Sequence, residues 1–438
     1  MKIVIIGLGA AGFAAAMAIR KQNRQAEITF VDKKDFDLLH HCGLPFYIGG
    51  KIRDANSLAQ NIDFKMMGID KYSNSEAVRI DGNKKEIVVK NLKTQKIEKI
   101  KYDSLIIAAG AEPFVAPIPG AELAFTVDSI ENAKKIKEKA KKGKTAVIIG
   151  AGAIGLETAL ALIENGLKVT VVDMLPNALA KLIDKDISEI LEEYLMESGI
   201  ELVFNVKITE IKKDRVLLEK KEIPADIVVM ATGVRANTHL AKNSGISCGK
   251  TGITVNEKLE TNIKDVYAAG DCIGGFSRLN KKAFSAQIAT TATLQGTVAG
   301  INACGGNKNY DGVLGTFVSK IGEIEVAATG FNSSFAEQAG YKIITSKAKS
   351  KTKPEWFLDA VEITVKLIAD ETGKIIGAQA IGKEGAASRI NVLSAVIKAG
   401  FGFKELAEIE FAYCPSISQA VDVVTIAAEV GMRKIKAG

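Results

Sequence analysis

The sequence predicts an α/β protein built on two parallel sheets, and two observations carry that expectation. One is a repeat: Val4-Ile5-Ile6-Gly7-Leu8-Gly9-Ala10-Ala11-Gly12 has a near copy in Val147-Ile148-Ile149-Gly150-Ala151-Gly152-Ala153-Ile154-Gly155. Each copy is an apolar β-branched run, a G-x-G-x-x-G turn and an Ala/Leu-rich stretch of helical character. The other is a second apolar strand after each copy, ending in an acid: Ile28 to Asp32 and Val169 to Asp173, about 20 and 18 residues past the third glycine. A length of 438 residues accommodates about three domains at roughly 150 residues each. A composition of 47% hydrophobic and 25% charged residues is that of an ordinary folded chain.

The glycine spacing has a physical reading. The first glycine permits a tight strand-to-helix turn, the second lets backbone approach a pyrophosphate, and the third allows close helix–strand packing. The helix N-terminus offers its unpaired N–H groups to the phosphates, and the acid accepts ribose hydroxyls. Gly7, Gly9, Ala10, Ala11, Gly12 and Asp32 therefore form one expected dinucleotide site. Gly150, Gly152, Ile154, Gly155 and Asp173 form a second, so both units are Rossmann-like. Asp173 would repel a 2′-phosphate, which favours NADH over NADPH. Three more apolar strands complete the layout. Tyr102 to Ala108 runs into Ala109 and Gly110, Asp226 to Thr232 into Gly233, and Asp265 to Ala269 into Gly270 and Asp271. Their small terminal residues are expected beside the nucleotides, and the inner unit sits in sequence between two parts of the outer one.

Charge and cysteines exclude other classes. The net charge is +7, and the densest basic run, Lys134 to Lys144, contains no aromatic residue, so it is expected as the solvated face of a helix and not a nucleic-acid arm. Ile3 to Ile19 carries no charge, but Gly7, Gly9 and Gly12 interrupt it and its near copy is internal, so no membrane span or signal peptide is expected. Five cysteines without a C-x-x-C pair suit a reducing, cytoplasmic setting. His40 and His41 are adjacent and account for two of three histidines, so no metal site is expected.

The chain resembles the pyridine nucleotide–disulfide oxidoreductases, flavoproteins with two dinucleotide-binding domains. Thr261-x5-Tyr267-Ala268-Ala269-Gly270-Asp271 looks like their second flavin signature. The resemblance implies FAD on the first loop, with Asp32, with Asp271 at the ribityl and pyrophosphate part and Val78 backbone at adenine. It implies NADH on the second, with Glu157 near the nicotinamide. It also implies an α+β C-terminal dimerisation domain and a homodimer. The expected boundaries are 1–115 and 241–314 for the FAD domain, 116–240 for the NAD domain and 315–438 for the dimerisation domain.

Many members carry C-x4-C in the first flavin unit. Here Cys42-Gly43-Leu44-Pro45-Phe46-Tyr47 puts Tyr at the second position, which resembles the single-cysteine branch of coenzyme A-disulfide reductases, NADH oxidases and NADH peroxidases. Leu44 to Ile48 is expected to open a short helix whose dipole favours a Cys42 thiolate, with His41 assisting the thiolate or protonating a leaving thiol. The glycine loop has Ala10 and no His, which lowers the peroxidase reading. Ile381 to Ser394 and Ala412-Tyr413-Cys414-Pro415 look closest to coenzyme A-disulfide reductases. The resemblance implies that Tyr413 donates a hydroxyl at the partner subunit's redox site. Cys414, where relatives have Ala, is either a second, intersubunit redox thiol or a small apolar filler. Lys383 and Arg389 are candidates for the phosphates of a coenzyme A-like thiol. Cys248, Cys272 and Cys304 are expected to be inert. The expected activity is hydride transfer from NADH to FAD and on to Cys42 and a small-thiol disulfide, persulfide or polysulfide. NADH oxidation by O2 at the flavin and a redox-sensing flavoprotein are the alternatives.

Overall fold

The computed structural model describes residues 1–437. The chain forms two compact units. The first contains Met1–His41, Asp54–Phe114 and Val234–Val313; the second contains Cys42–Arg53, Val115–Gly233 and the chain from Leu314 onward.

The first unit is organised by a five-stranded, all-parallel sheet. Its strand order is Val266–Ala268, Ser104–Ile107, Lys2–Ile6, Glu27–Val31 and Ile69–Tyr72. Val4 pairs with Thr29 on one side and Leu105 on the other. Both faces are covered, which is why these strands read as unbroken apolar runs and not as alternations. The helix Ala10–Gln22 leaves the first strand and packs on the helix Ala289–Ala303. The two backbones nearly touch: a Cβ on Gly296 would lie 2.1 Å from the Ala11 carbonyl oxygen, and one on Gly300 would lie 2.4 Å from that of Ala15. The run Ala14-Ala15-Ala16 on one helix answers the glycines on the other. An antiparallel meander, Ser75–Asp81, Glu86–Asn91 and Ile97–Lys101, completes the unit.

The second unit repeats the idea with four parallel strands, ordered Ile200–Val203, Lys168–Val172, Thr145–Ile149 and Ile227–Met230. The helices Ile130–Ala140, Ala153–Glu164 and Lys185–Glu197 accompany it. After Leu314 comes an antiparallel sheet in the order Phe317–Ile321, Ile324–Gly330, Ile375–Gly382, Glu362–Asp370 and Ile343–Lys351. The helices Ala386–Ala399 and Val423–Ala437 pack on it. This is the α+β C-terminal region expected from the sequence.

Three details differ from the sequence-based expectation. The chain returns to the first unit after Gly233, not 240, because Val234–Ala236 pairs antiparallel with Ala111–Pro113. The segment Cys42–Arg53 belongs with the second unit although the first flanks it in sequence. The basic run is not uniformly solvated: Lys134 and Lys135 are exposed, whereas Lys137 donates to the Tyr47 carbonyl oxygen at 2.6 Å and sits 4.2 Å above the Tyr47 ring.

The helix contact yields a prediction. Gly296→Ala forces the helices apart, an overpacking that typically costs about 1–3 kcal/mol. Thermal unfolding of the variant should show a Tm several degrees below that of the parent chain; an unchanged Tm would contradict the close approach.

Candidate active site

The two glycine loops are built alike. Gly7 N–H donates to the Val31 carbonyl at 2.9 Å, and Gly150 N–H to that of Val172 at 2.8 Å. Asp32, at the end of the neighbouring strand, accepts from Leu8 N–H at 2.5 Å and Lys34 N–H at 2.8 Å. Asp173 accepts from Ala151 N–H at 2.7 Å and Leu175 N–H at 2.8 Å. Each acid thus fastens its loop to the adjacent strand and retains lone pairs for further donors.

The glycines separate into two kinds. Gly7 and Gly150 have φ of +97° and +110°, and a Cβ there would strike a carbonyl oxygen at 2.2 and 2.4 Å. A Cβ on Gly12 or Gly155 would lie 2.1 Å from the carbonyl oxygen of Gly7 or Gly150. These four are required by the chain itself. Gly9 and Gly152 have φ of −118° and −79° and meet nothing within 4 Å. Nothing in the protein requires glycine there, so the open space at each loop crest suits an external phosphate, placed before a helix N-terminus. The residues fit two dinucleotides.

The other expected contacts are more dispersed. Ala11 is buried beneath Gly270 and Gly296, Ala10 is half-buried, and Ile154 is exposed. Val78 falls where the register of its strand pair is broken, between Ala77 and Arg79; such a bulge takes a residue out of the ladder and suits a backbone contact with a ligand. The Ala109 and Gly110 carbonyls accept from Asn237, at 2.9 and 3.0 Å. Gly110, Gly233 and Gly270 all have left-handed φ, +66°, +98° and +83°. Burial alone pushes the Asp271 carboxyl up, as for an acid whose hydrogen-bond partners lie outside the chain.

Cys42 lies in the tight turn His41–Gly43, followed by the five-residue helix Leu44–Ile48. That helix is too short to hold itself. Lys137 takes its Tyr47 carbonyl, Asn165 Nδ2 donates to the Ile48 carbonyl at 3.0 Å, and Gly49 lies against Ala161. Cys42 and His41 are exposed. The expected depression of the Cys42 thiol is not what the chain's own atoms produce: desolvation pushes the thiol up, and the Glu157 charge adds to this. A helix of one turn has too little dipole to reverse either effect. Glu157 lies two residues past Gly155 on the loop helix. Its carboxyl is itself pushed up by burial and drawn down by Ser319, whose hydroxyl donates to it at 2.6 Å.

Lys137, Asn165 and Ser319 were not singled out from the sequence. Lys137 was hidden in a lysine-rich helix, and Asn165 and Ser319 belong to no motif, so only tertiary placement reveals them. Both expected phosphate contacts carry an ion pair within the chain. Arg389 donates to Asp422 at 2.7 Å, with side chains only 13% and 6% exposed, and Lys383 pairs with Glu323 at 2.9 Å. Tyr413 and Cys414 lie on an exposed segment with Ile417 and Val421. The Cys414 thiol is pulled down by hydrogen bonding from Ser416, whose hydroxyl lies 3.3 Å away. Cys272 is fully buried, and burial drives its thiol up to about 11. Among the described residues no cluster of three or more His, Cys, Asp or Glu could hold a metal, and no helix is long and apolar enough to cross a membrane.

Two variants test this layout. Gly152→Ala fills the crest without disturbing the chain, so the Kd for NADH should rise at least about tenfold, roughly 1.4 kcal/mol, with an unchanged Tm in the absence of nucleotide. Arg389→Met strands the buried Asp422 charge and should cost about 3–5 kcal/mol in denaturant unfolding; an unaltered midpoint would free Arg389 for a ligand role.

Known proteins place this architecture. Residues 1–296 match the pyridine nucleotide-disulphide oxidoreductase family, and residues 318–424 match its dimerisation domain. The chain is 35% identical to an NADH oxidase of Methanocaldococcus jannaschii over 99% of both chains. It is 32% identical to a CoA-dependent NAD(P)H sulfur oxidoreductase of Pyrococcus furiosus over 98% of both. The structure of an NAD-dependent persulfide reductase from A. fulgidus superposes with a TM-score of 0.95 at 35% identity, covering 100% of this chain and 84% of that one. The chain belongs to the pyridine nucleotide-disulphide oxidoreductases, a family of FAD- and NAD(H)-dependent enzymes.

Proposed function

We propose that this protein is an NADH-dependent reductase of small-molecule disulfides, persulfides or polysulfides, with Cys42 as the thiol that meets the substrate. The observation that carries the reading is the setting of Cys42. It is an exposed thiol in the turn that precedes a five-residue helix, with Tyr47 where a second cysteine would stand, and it feels the charge of Glu157 on the helix of the second glycine loop. The sulfur oxidoreductase and persulfide reductase relatives support the acceptor class.

The overall balance is NADH plus a proton plus a disulfide giving NAD+ and two thiols. Bound FAD supplies the two-electron relay between nicotinamide and sulfur. The chain does the rest. Gly9 and Gly152 leave room for the two pyrophosphates. Asp32 and Asp173 stand at the ribose positions, and Asp173, followed by Met174 and Leu175 and no nearby Arg, favours NADH over NADPH. The Cys42 thiolate attacks one substrate sulfur, the other departs as a thiolate that takes up a proton, and a mixed disulfide is left on Cys42. Because the thiol is pushed up, attack accelerates with rising pH until Cys42 is ionised. His41, beside Cys42, is placed to give or take that proton.

We further propose a homodimer in which Tyr413 reaches the partner subunit's redox site. Tyr413, Ile417 and Val421 are 52%, 73% and 53% exposed in the single chain. Their segment is tied by Gln419 to the Lys353 carbonyl, at 2.8 Å, close in sequence to exposed Trp356 and Leu358. A second copy is the natural cover for this apolar surface, and the dimerisation-domain match supports it.

A second reading, NADH oxidation by O2, is favoured by the Methanocaldococcus jannaschii relative. The experiment that separates the two is anaerobic reduction by NADH followed by coenzyme A disulfide, polysulfide or O2 in separate assays. Cys42→Ser should retain flavin reduction by NADH and lose at least about 100-fold in disulfide or polysulfide turnover. Rapid reoxidation by O2 alone, unaffected by Cys42→Ser, would overturn the reductase reading.

A further inference from the structure

The strand Phe317–Ile321 brings one hydroxyl to the Glu157 carboxylate. Ser319 is 6% exposed and faces Val326 in register across its strand pair. From there its Oγ donates to Glu157 Oε1 at 2.6 Å. The small cavity at Glu157 is also lined by Pro45 and Phe46 of the helix that follows Cys42, and the charged groups sharing it are Lys51, Glu164 and Lys320. Lys51 and Glu164 neutralise each other at 2.9 Å. The cavity holds about 20 Å³, room for roughly one water molecule. Ser319 is therefore the fixed protein donor on a half-buried carboxylate that burial alone would drive toward its neutral form.

We propose that Ser319 is a positioning residue for Cys42: its hydroxyl fixes the Glu157 carboxylate in the cavity that Glu157 shares with Pro45 and Phe46, the residues just past the Cys42 turn. The inference rests on Cys42 being the reactive thiol, and it is independent of which acceptor the enzyme reduces. An ionised Glu157 disfavours ionisation of Cys42, adding to the larger effect of burial. Protonation of Glu157 removes its share. Below the pH at which Glu157 titrates, the fall in Cys42 thiolate is therefore partly offset. Without the Ser319 hydroxyl, Glu157 takes its proton at higher pH, and the offset begins earlier.

The test reads Cys42 directly. The flavin-containing enzyme, reduced with dithiothreitol and desalted anaerobically, is pulsed with iodoacetamide across the pH range. Cys42 and Cys414 peptides are resolved by mass spectrometry. Glu157→Gln should speed Cys42 alkylation roughly three- to tenfold at neutral pH, the effect of removing one partly screened charge. Ser319→Ala should reproduce that gain on the acid side only, with rates merging with those of the parent at alkaline pH. Ser319→Thr, which keeps the hydroxyl, should restore the parent profile, and Cys414 should be unchanged throughout. Should Ser319→Ala not fold, Ser319→Cys, a near-isosteric weaker donor, is read in the same way. A Ser319→Ala or Ser319→Cys profile that coincides with the parent, a Ser319→Thr profile that tracks Ser319→Ala, or an unchanged Cys42 rate in Glu157→Gln would overturn the inference. Loss of the reductase reading would register in the acceptor assays and leave these profiles untouched.

Discussion

The bond from a strand-end carboxylate to a loop N–H is the constraint on which the rest of the structure depends. Asp32 holds Leu8 and Asp173 holds Ala151, each across two neighbouring parallel strands. That bond fixes the crest of the glycine loop, which fixes the start of the next helix. In the first unit the helix then carries the Ala11 and Ala15 backbone into near contact with Gly296 and Gly300. In the second it carries Glu157 to where its charge acts on Cys42. One local interaction, used twice, thus anchors the start of two helices that do different work.

Much of this was legible in the residues because it is local. Strand, turn, helix and acid succeed one another within about 30 residues, the span of one βαβ unit, and their order is their signal. Val78 and Cys42 could be reached by resemblance. The holders of the helix after Cys42 could not. Lys137 looks like any other lysine of a basic helix, and its engagement with Tyr47 depends on which helix face meets the segment. Arg389 shows the converse: a cation in a suggestive motif is paired with Asp422, a buried neighbour 33 residues away. Sequence spacing reports periodicity and caps well and reports long-range pairing of isolated side chains poorly.

The electrostatics of Cys42 show why position and reactivity are separate questions. The turn and the helix behind it are where a nucleophilic thiol is expected, yet the nearby protein mass and Glu157 both disfavour its ionisation. Cys414, on an exposed segment, has its thiol drawn the other way by Ser416. Of these two exposed thiols, Cys414 is thus the one drawn toward ionisation, and ionisation of Cys42 depends on charges that its own segment does not supply.

The short helix after Cys42 has a consequence for how the protein is made. Its clasps come late in the chain: Lys137 lies 90 residues beyond Tyr47, and Asn165 lies 117 beyond Ile48. At roughly 5–20 residues per second of synthesis, the thiol spends on the order of 5–25 seconds in a growing chain before the side chains that fix its helix exist. Over that interval it is an ordinary cysteine on a tether, without Glu157 beside it to hold its proton. The nascent polypeptide is therefore the form of this molecule in which Cys42 is least governed by its neighbours.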